Sequence, residues 1–173
     1  MSESLAKKLV GSFSGLLALG YGKQLIVFII SLLPLLELRG GLIAASLLNM
    51  DPLESYIISI IGNVIPVPFI LLFIESVMKW MRSSRIGFIS RFAAWLDKKV
   101  EKNKKNIEKY GFWGLALFVG IPLPGTGAWT GCLIAAMLHM KKSTAFAATL
   151  TGVFIASIIM MAVSFGIIGN IIR

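Results

Sequence analysis

Charge is scarce in this chain. Of its 173 residues only 14% are Asp, Glu, Lys or Arg, while 57% are hydrophobic. A soluble domain of this size carries about a quarter charged residues, so the deficit argues against an ordinary water-soluble globule. Cysteine is nearly absent too. Cys132 stands alone, which excludes an intrachain disulfide and a cysteine metal cluster; within an apolar helix it reads as a small buried thiol. His139 is the single histidine and has no acidic neighbour in sequence. No zinc, haem or phosphate-loop spacing occurs, so neither metal nor cofactor is expected. An intramembrane enzyme needs a nucleophile–base or metal constellation. The chain offers no material for one, and we read it as a non-enzyme.

What the chain has is apolar length. Several runs reach the ~18 residues that mark membrane-spanning candidates, so it reads as an integral membrane protein. Its net charge of +9 is uneven. Ten basic residues crowd between Lys79 and Lys109, opposed only by Asp97, Glu101 and Glu108. A short basic loop between apolar spans is the positive-inside signal. Loop 79–109 is therefore expected in the cytoplasm, with membrane lipids rather than nucleic acid as its partner.

Two apolar stretches are broken in the middle. The first, from about Gln24 to Met50, is interrupted by Pro34, Glu37, Arg39, Gly40 and Gly41. The second, from Gly111 to Met140, is interrupted by Pro122, Pro124, Gly125, Thr126 and Gly127, followed by Trp129, Thr130 and Gly131. Backbone that leaves the helix inside a bilayer must be buried in protein or line a watery cavity. Broken helices at matching places in two halves of a membrane chain point to a transport-type site. Glu37 and Arg39 each cost at least ~2.5 kcal/mol to insert, and such charges are usually functional or paired. Off one helical face, they are candidates either for a structural ion pair at the bend or for contact with the opposite break. The second break is uncharged; its prolines withhold N–H groups and its glycines permit tight turns. A helix restarting near Thr130 presents free N–H groups suited to an anion. Glu37 is the candidate carboxylate in the empty state, to be replaced by a substrate anion.

Around these breaks the elements are legible. Residues 1–22 read as an interfacial amphipathic helix, with a signal peptide as the rival. Asp51, Pro52 and Glu54 form a helix start with a capping box. The span that follows runs to Trp80 and should kink at Pro66 and Pro68, with Asn63 offering a side chain to the weakened ladder. Glu75 and Lys79 have ion-pair spacing. Residues 85–109 read as a basic amphipathic helix on an anionic surface, with Ile89, Phe92, Leu96, Val100 and Ile107 on one face. Ser143 or Thr144 is a candidate cap for a last span, 145–169, rich in small residues.

The halves also superimpose in sequence. Gly40 to Met50 lies over Gly131 to Met140 with one residue deleted, sharing Leu-Ile-Ala-Ala, and Gly62 then falls on Gly152. If both broken segments are re-entrant hairpins, only 53–80 and 145–169 cross and the copies are inverted. If both span, the copies are parallel. The break chemistry favours hairpins. The expected architecture is one all-α integral membrane domain, 1–173. It comprises two inverted repeats, 24–80 and 111–170, each a re-entrant helical hairpin followed by a transmembrane helix, joined by the basic cytoplasmic helix.

The motif from Pro34 to Gly41 together with that from Pro122 to Gly131 resembles the putative small multidrug export protein family of bacteria and archaea, over about residues 24–170. That family is in turn similar to the DedA (VTT-domain) superfamily. The resemblance implies facing re-entrant hairpins in the cell membrane, with Glu37 as the acidic residue of the first hairpin and Pro122 and Gly125 as the turn of the second. It implies a transporter of a small amphiphile, drug or lipid headgroup, coupled to protons or sodium, or a polyprenyl-phosphate flippase or scramblase of DedA type. The arginines of DedA members are replaced around that turn by Gly120 and by Gly127 or Ala128, leaving Arg39 as the available charge. A non-transporting membrane scaffold is the remaining class. A homodimer suits so few crossings but is not derivable from sequence.

Overall fold

The computed structural model describes residues 20–84, 86–123 and 125–168, helices joined by turns and short irregular links, with no strand among them. The expected interfacial helix at 1–22 lies almost wholly outside the described residues, as do Pro124 and the side chain of Glu75. Helices α1 (Gly22–Leu32) and α2 (Glu37–Leu47) form a hairpin, followed by α3 (Pro52–Val64) and α4 (Pro66–Ser83). Helix α5 (Gly87–Gly120) carries the chain to a second hairpin made by its own last turns and α6 (Ala128–Met137). The closing helix α7 (Lys142–Met161) continues as a π-helical segment, Ala162–Ile168.

Length sorts these helices. Pro52–Phe73 and Lys142–Gly166 run 22 and 25 residues at a mean hydropathy of 2.2, long and apolar enough to cross a membrane. Helices α1, α2 and α6 have 11, 11 and 10 residues. At 1.5 Å per residue each reaches only about 16 Å, roughly half of a ~30 Å hydrocarbon layer.

Local chemistry explains most boundaries and corrects several. Asp51 caps α3, its Oδ1 accepting from Leu53 N at 2.9 Å and Glu54 N at 3.0 Å. The capping box is only half made: Glu54 Oε1 accepts from Gln24 Nε2 at 2.9 Å and so ties α3 to α1. The prolines split the span at Ile65, where Ile65 N still reaches Ile61 O at 3.0 Å. Asn63 makes no hydrogen bond to this ladder. Neither Ser143 nor Thr144 caps α7. The cap position is Lys141, without a side-chain bond, and both hydroxyl residues already lie in the first turn. The first break is shorter than expected. It occupies 33–36, so Glu37, Arg39, Gly40 and Gly41 belong to the start of α2. At Gly111 (φ 54°, ψ −120°) the backbone leaves helical geometry, so α5 is two helices meeting at a kink rather than one continuous rod. The basic helix packs on α4 rather than lying alone, through Ala93, Ile107 and Met78 and an Arg82–Asp97 ion pair at 2.6 Å.

The turns after α2 and α6 are alike bond for bond. Leu48 N donates to Ala44 O and Leu138 N to Ile134 O, both at 2.9 Å. Met50 N donates to Ala45 O at 3.1 Å and Met140 N to Ala135 O at 2.9 Å. Between them Asn49 and His139 take φ of 50° and 51°, a left-handed position for which Asn and His are both enriched. This turn gives His139 a structural job. The following helices match as well. A Cβ on Gly62 would sit 2.9 Å from Phe28 O of α1, and one on Gly152 would sit 2.6 Å from Ala116 O of α5. In each half a glycine lets the long helix lie against the hairpin's first arm, the close approach that small residues allow in lipid.

The main core lies where the hairpins meet. Leu38 and Leu42 of α2, Val67 and Ile70 of α4, Leu115 and Val119 of α5, and Leu133 and Ile134 of α6 join Val153 and Ala156 of α7. Cys132 is buried there, its Sγ 3.7 Å from Thr149 Oγ1. Large apolar side chains such as Ile57, Phe69, Phe73, Phe154 and Ile158 remain exposed on the outside, as lipid-facing helices require.

Candidate functional site

The site is built where the tip of the first hairpin enters the break of the second. Turn 33–36 delivers Glu37 at φ 53° as the first residue of α2, with Glu37 N bonded to Leu33 O at 2.9 Å. Left-handed backbone costs a non-glycine residue about 1–2 kcal/mol, and such strain clusters at functional sites. The carboxylate is 6% exposed. Its Oε2 accepts from Ala128 N at 3.0 Å and its Oε1 from Trp129 N at 3.1 Å. These are the first N–H groups of α6, which have no partner within their own helix. They lie at its positive end, where negative charge is favoured. Gly127 makes the contact feasible: a Cβ there would fall inside the Glu37 carboxyl group.

Arg39, two residues on, serves the other side of the same break. Its Nη1 donates to Leu123 O at 2.5 Å. Its Nη2 reaches Val119 O and Ile121 O at 3.2 Å each, Thr126 Oγ1 at 3.3 Å, and Thr126 O. Val119 lies in the last turn of α5, so the cation sits where the helix ends and its carbonyls are free. Thr126 Oγ1 in turn lies 2.8 Å from Ile121 O and 2.9 Å from Leu123 O, folding the loop around the guanidinium. One hairpin therefore supplies an anion to the helix that begins and a cation to the helix that ends. An internal Glu37–Arg39 ion pair holding the first bend is not what forms. Both charges spend their hydrogen bonds on the opposite hairpin. Bonds to charged groups contribute roughly 1.5–3 kcal/mol each, enough to offset an insertion cost of at least ~2.5 kcal/mol per charge.

The other sequence candidates divide. Thr126, Gly127 and Trp129 are at the junction, and Thr130 is buried in the same first turn of α6. Pro122 is half-buried in the loop and Gly125 takes φ 78° in its turn. Gly40 packs on Leu36 and Ile30 instead, holding α2 to α1. Asn63 lies on α3, fully buried. Sequence reasoning missed Ala128 and the carbonyls of Val119, Ile121 and Leu123. They act through backbone atoms, which leave no mark in residue type. Two donors at the junction are unspent among the described residues: Arg39 Nε and Trp129 Nε1 are buried and unpartnered.

A family model described as Putative small multi-drug export protein matches residues 37–159. The chain belongs to that family. The matched region starts at Glu37 and takes in both faces of the junction. An export-protein family and two helices of membrane length together mark a membrane protein of transporter rather than enzyme type. No curated protein and no solved structure matches the chain.

Proposed function

We propose that this protein is a transporter of the bacterial or archaeal cell membrane that exports or translocates a small amphiphile, drug or lipid headgroup. The observation that carries the reading is the Glu37 bridge to the Ala128 and Trp129 N–H groups. A carboxylate seated on a helix N-terminus occupies a site that any oxygen-rich or anionic ligand group can also use. Exchange of Glu37 for ligand at α6 couples binding to separation of the two hairpins. Arg39 Nε and Trp129 Nε1 are further donors for the incoming acceptor. When displaced, Glu37 can take up a proton or a sodium ion, which gives the exchange a driving ion.

In this reading both hairpins are re-entrant, the halves are inverted copies, and the helix from Gly87 lies on the cytoplasmic side. The short arms and the identical turns after α2 and α6 support it. Single cysteines at Ser84 and Ser143, in a Cys132→Ser background, should both resist an impermeant maleimide on whole cells and react once the membrane is opened. Labelling of Ser143 alone from outside would make the second segment a span and remove the facing-hairpin site.

The transport test is reconstitution. Vesicles carrying the protein should move at least one of three probes: ethidium, carboxyfluorescein or a headgroup-labelled phospholipid. Glu37→Gln should slow that movement by at least about tenfold, the factor equivalent to ~1.4 kcal/mol in the exchange step. Movement of none of the probes by the wild type favours the scaffold class, and unchanged movement by Glu37→Gln sinks the exchange mechanism.

A further inference from the structure

The exchange leaves one question of chemistry: where the Glu37 carboxyl goes when it releases α6. Helix α3 holds unspent polar groups facing the first hairpin. Asn63 is fully buried, and both its Nδ2 and its Oδ1 lack a partner among the described residues; Ser59 is fully buried with its Oγ unpartnered. Most buried polar side chains find partners, so three unsatisfied atoms on one helix face need an account.

Register supplies it. Helices α2 and α3 are joined by the tight turn at 48–51 and pack against each other. A Cβ on Gly41 would lie 3.0 Å from Ser59 Oγ, so Gly41 faces Ser59 across the pair. One turn further from the connecting turn, α2 reaches Glu37 and α3 reaches Asn63, since i and i+4 share a helix face. The missing Cβ of Gly41 admits the Ser31 side chain between the helices, since any side chain at 41 would collide with Ser31 Oγ. By this register the residue opposite Glu37 is Asn63, whose amide donor and acceptor are both unpartnered among the described residues.

We propose that Asn63, with Ser59 beside it, is the second seat of the Glu37 carboxyl group. The side chain leaves the Ala128 and Trp129 N–H groups and is received by Asn63 Nδ2 and the Ser59 hydroxyl. If it arrives protonated, Asn63 Oδ1 accepts its proton's hydrogen bond. The inference rests on the exchange reading above for its purpose, but not for its test.

That test needs no transport substrate. The full chain in lipid vesicles is treated at one fixed pH with dicyclohexylcarbodiimide, an apolar reagent for membrane-buried carboxyls, and labelling of Glu37 is followed by mass spectrometry. The reagent captures the released carboxyl. Asn63→Leu removes the seat without leaving a buried polar orphan, so labelling should slow by about tenfold as the released population falls. Ser59→Ala should slow it a few-fold. Wild-type labelling rates in both variants, with unchanged melting temperatures, overturn the proposal. Faster labelling with a lowered melting temperature also overturns it, by showing that Asn63 is a structural post or holds a bridging water. If Asn63→Leu fails to fold, the Ser59→Ala rate decides. Loss of probe transport in Glu37→Gln tests the exchange reading separately, so either idea can fail alone.

Discussion

Glu37→Ala should lower the melting temperature of the purified protein by roughly 10 °C, and Gly127→Ala should do almost the same. Removing the carboxylate forfeits two charge-assisted bonds and strands the N–H groups of Ala128 and Trp129, about 3 kcal/mol together. For a chain of this size 1 kcal/mol moves the midpoint by about 2–4 °C. Gly127 reaches the same loss by another route. Its backbone is extended, at φ −169° and ψ −173°, so alanine there carries no conformational strain. Its only offence is a methyl group where the Glu37 carboxyl lies. The double variant should therefore melt close to Glu37→Ala alone, because the three atoms nearest to that methyl all belong to the Glu37 carboxyl group. A thermodynamic cycle measures this coupling. Additive losses would mean that Gly127 acts through its own backbone and that the bridge contributes little.

The two charged residues and both breaks were legible because lipid makes irregular backbone and buried charge expensive, so each stands out against apolar sequence. The restart of a helix after Gly127, with its N–H groups awaiting an anion, followed from the same reasoning. The helix starts at Ala128, two residues before Thr130. What sequence left open was how Glu37 and Arg39 divide their work. Two residues apart, they invite an ion pair on paper. In the fold the same spacing sends one to the beginning of α6 and the other to the end of α5, a choice made by the opposite hairpin's free N–H and C=O groups. Backbone partners carry no side-chain signature, so this division was not readable. The Ser59–Asn63 face was also hidden. Asn63 drew attention for its place before Pro66, yet its surroundings depend on a helix-to-helix register that only Gly41 reveals.

The junction should also come apart one side at a time. Arg39→Met is expected to lower the melting temperature by about as much as Glu37→Ala, with Arg39→Lys falling in between. The guanidinium spreads two Nη groups over four carbonyls and a hydroxyl between Val119 and Thr126. A lysine brings one nitrogen and no planar fork, so it can hold some of these acceptors but not span the loop. Methionine holds none. Ile121 O and Leu123 O keep their bonds within the loop. The part-buried bonds to Val119 O and Thr126 O are lost, at roughly 1–3 kcal/mol for each carbonyl that stays dry. Part of that loss is offset because no charge has to enter the bilayer. Amide hydrogen exchange resolves the lesion. Arg39→Met should speed exchange across 121–126, where Leu123 N and Thr126 N are held by Ile121 O and Leu123 O within the loop that Arg39 gathers. Ala128 and Trp129, still held by Glu37, should stay slow. Glu37→Ala should show the reverse: fast exchange at Ala128 and Trp129 with the loop intact. If either variant loosens both regions together, the junction is a single cooperative unit. The anion and the cation could then not be released separately, and exchange of Glu37 for a ligand would have to open the Arg39 side as well.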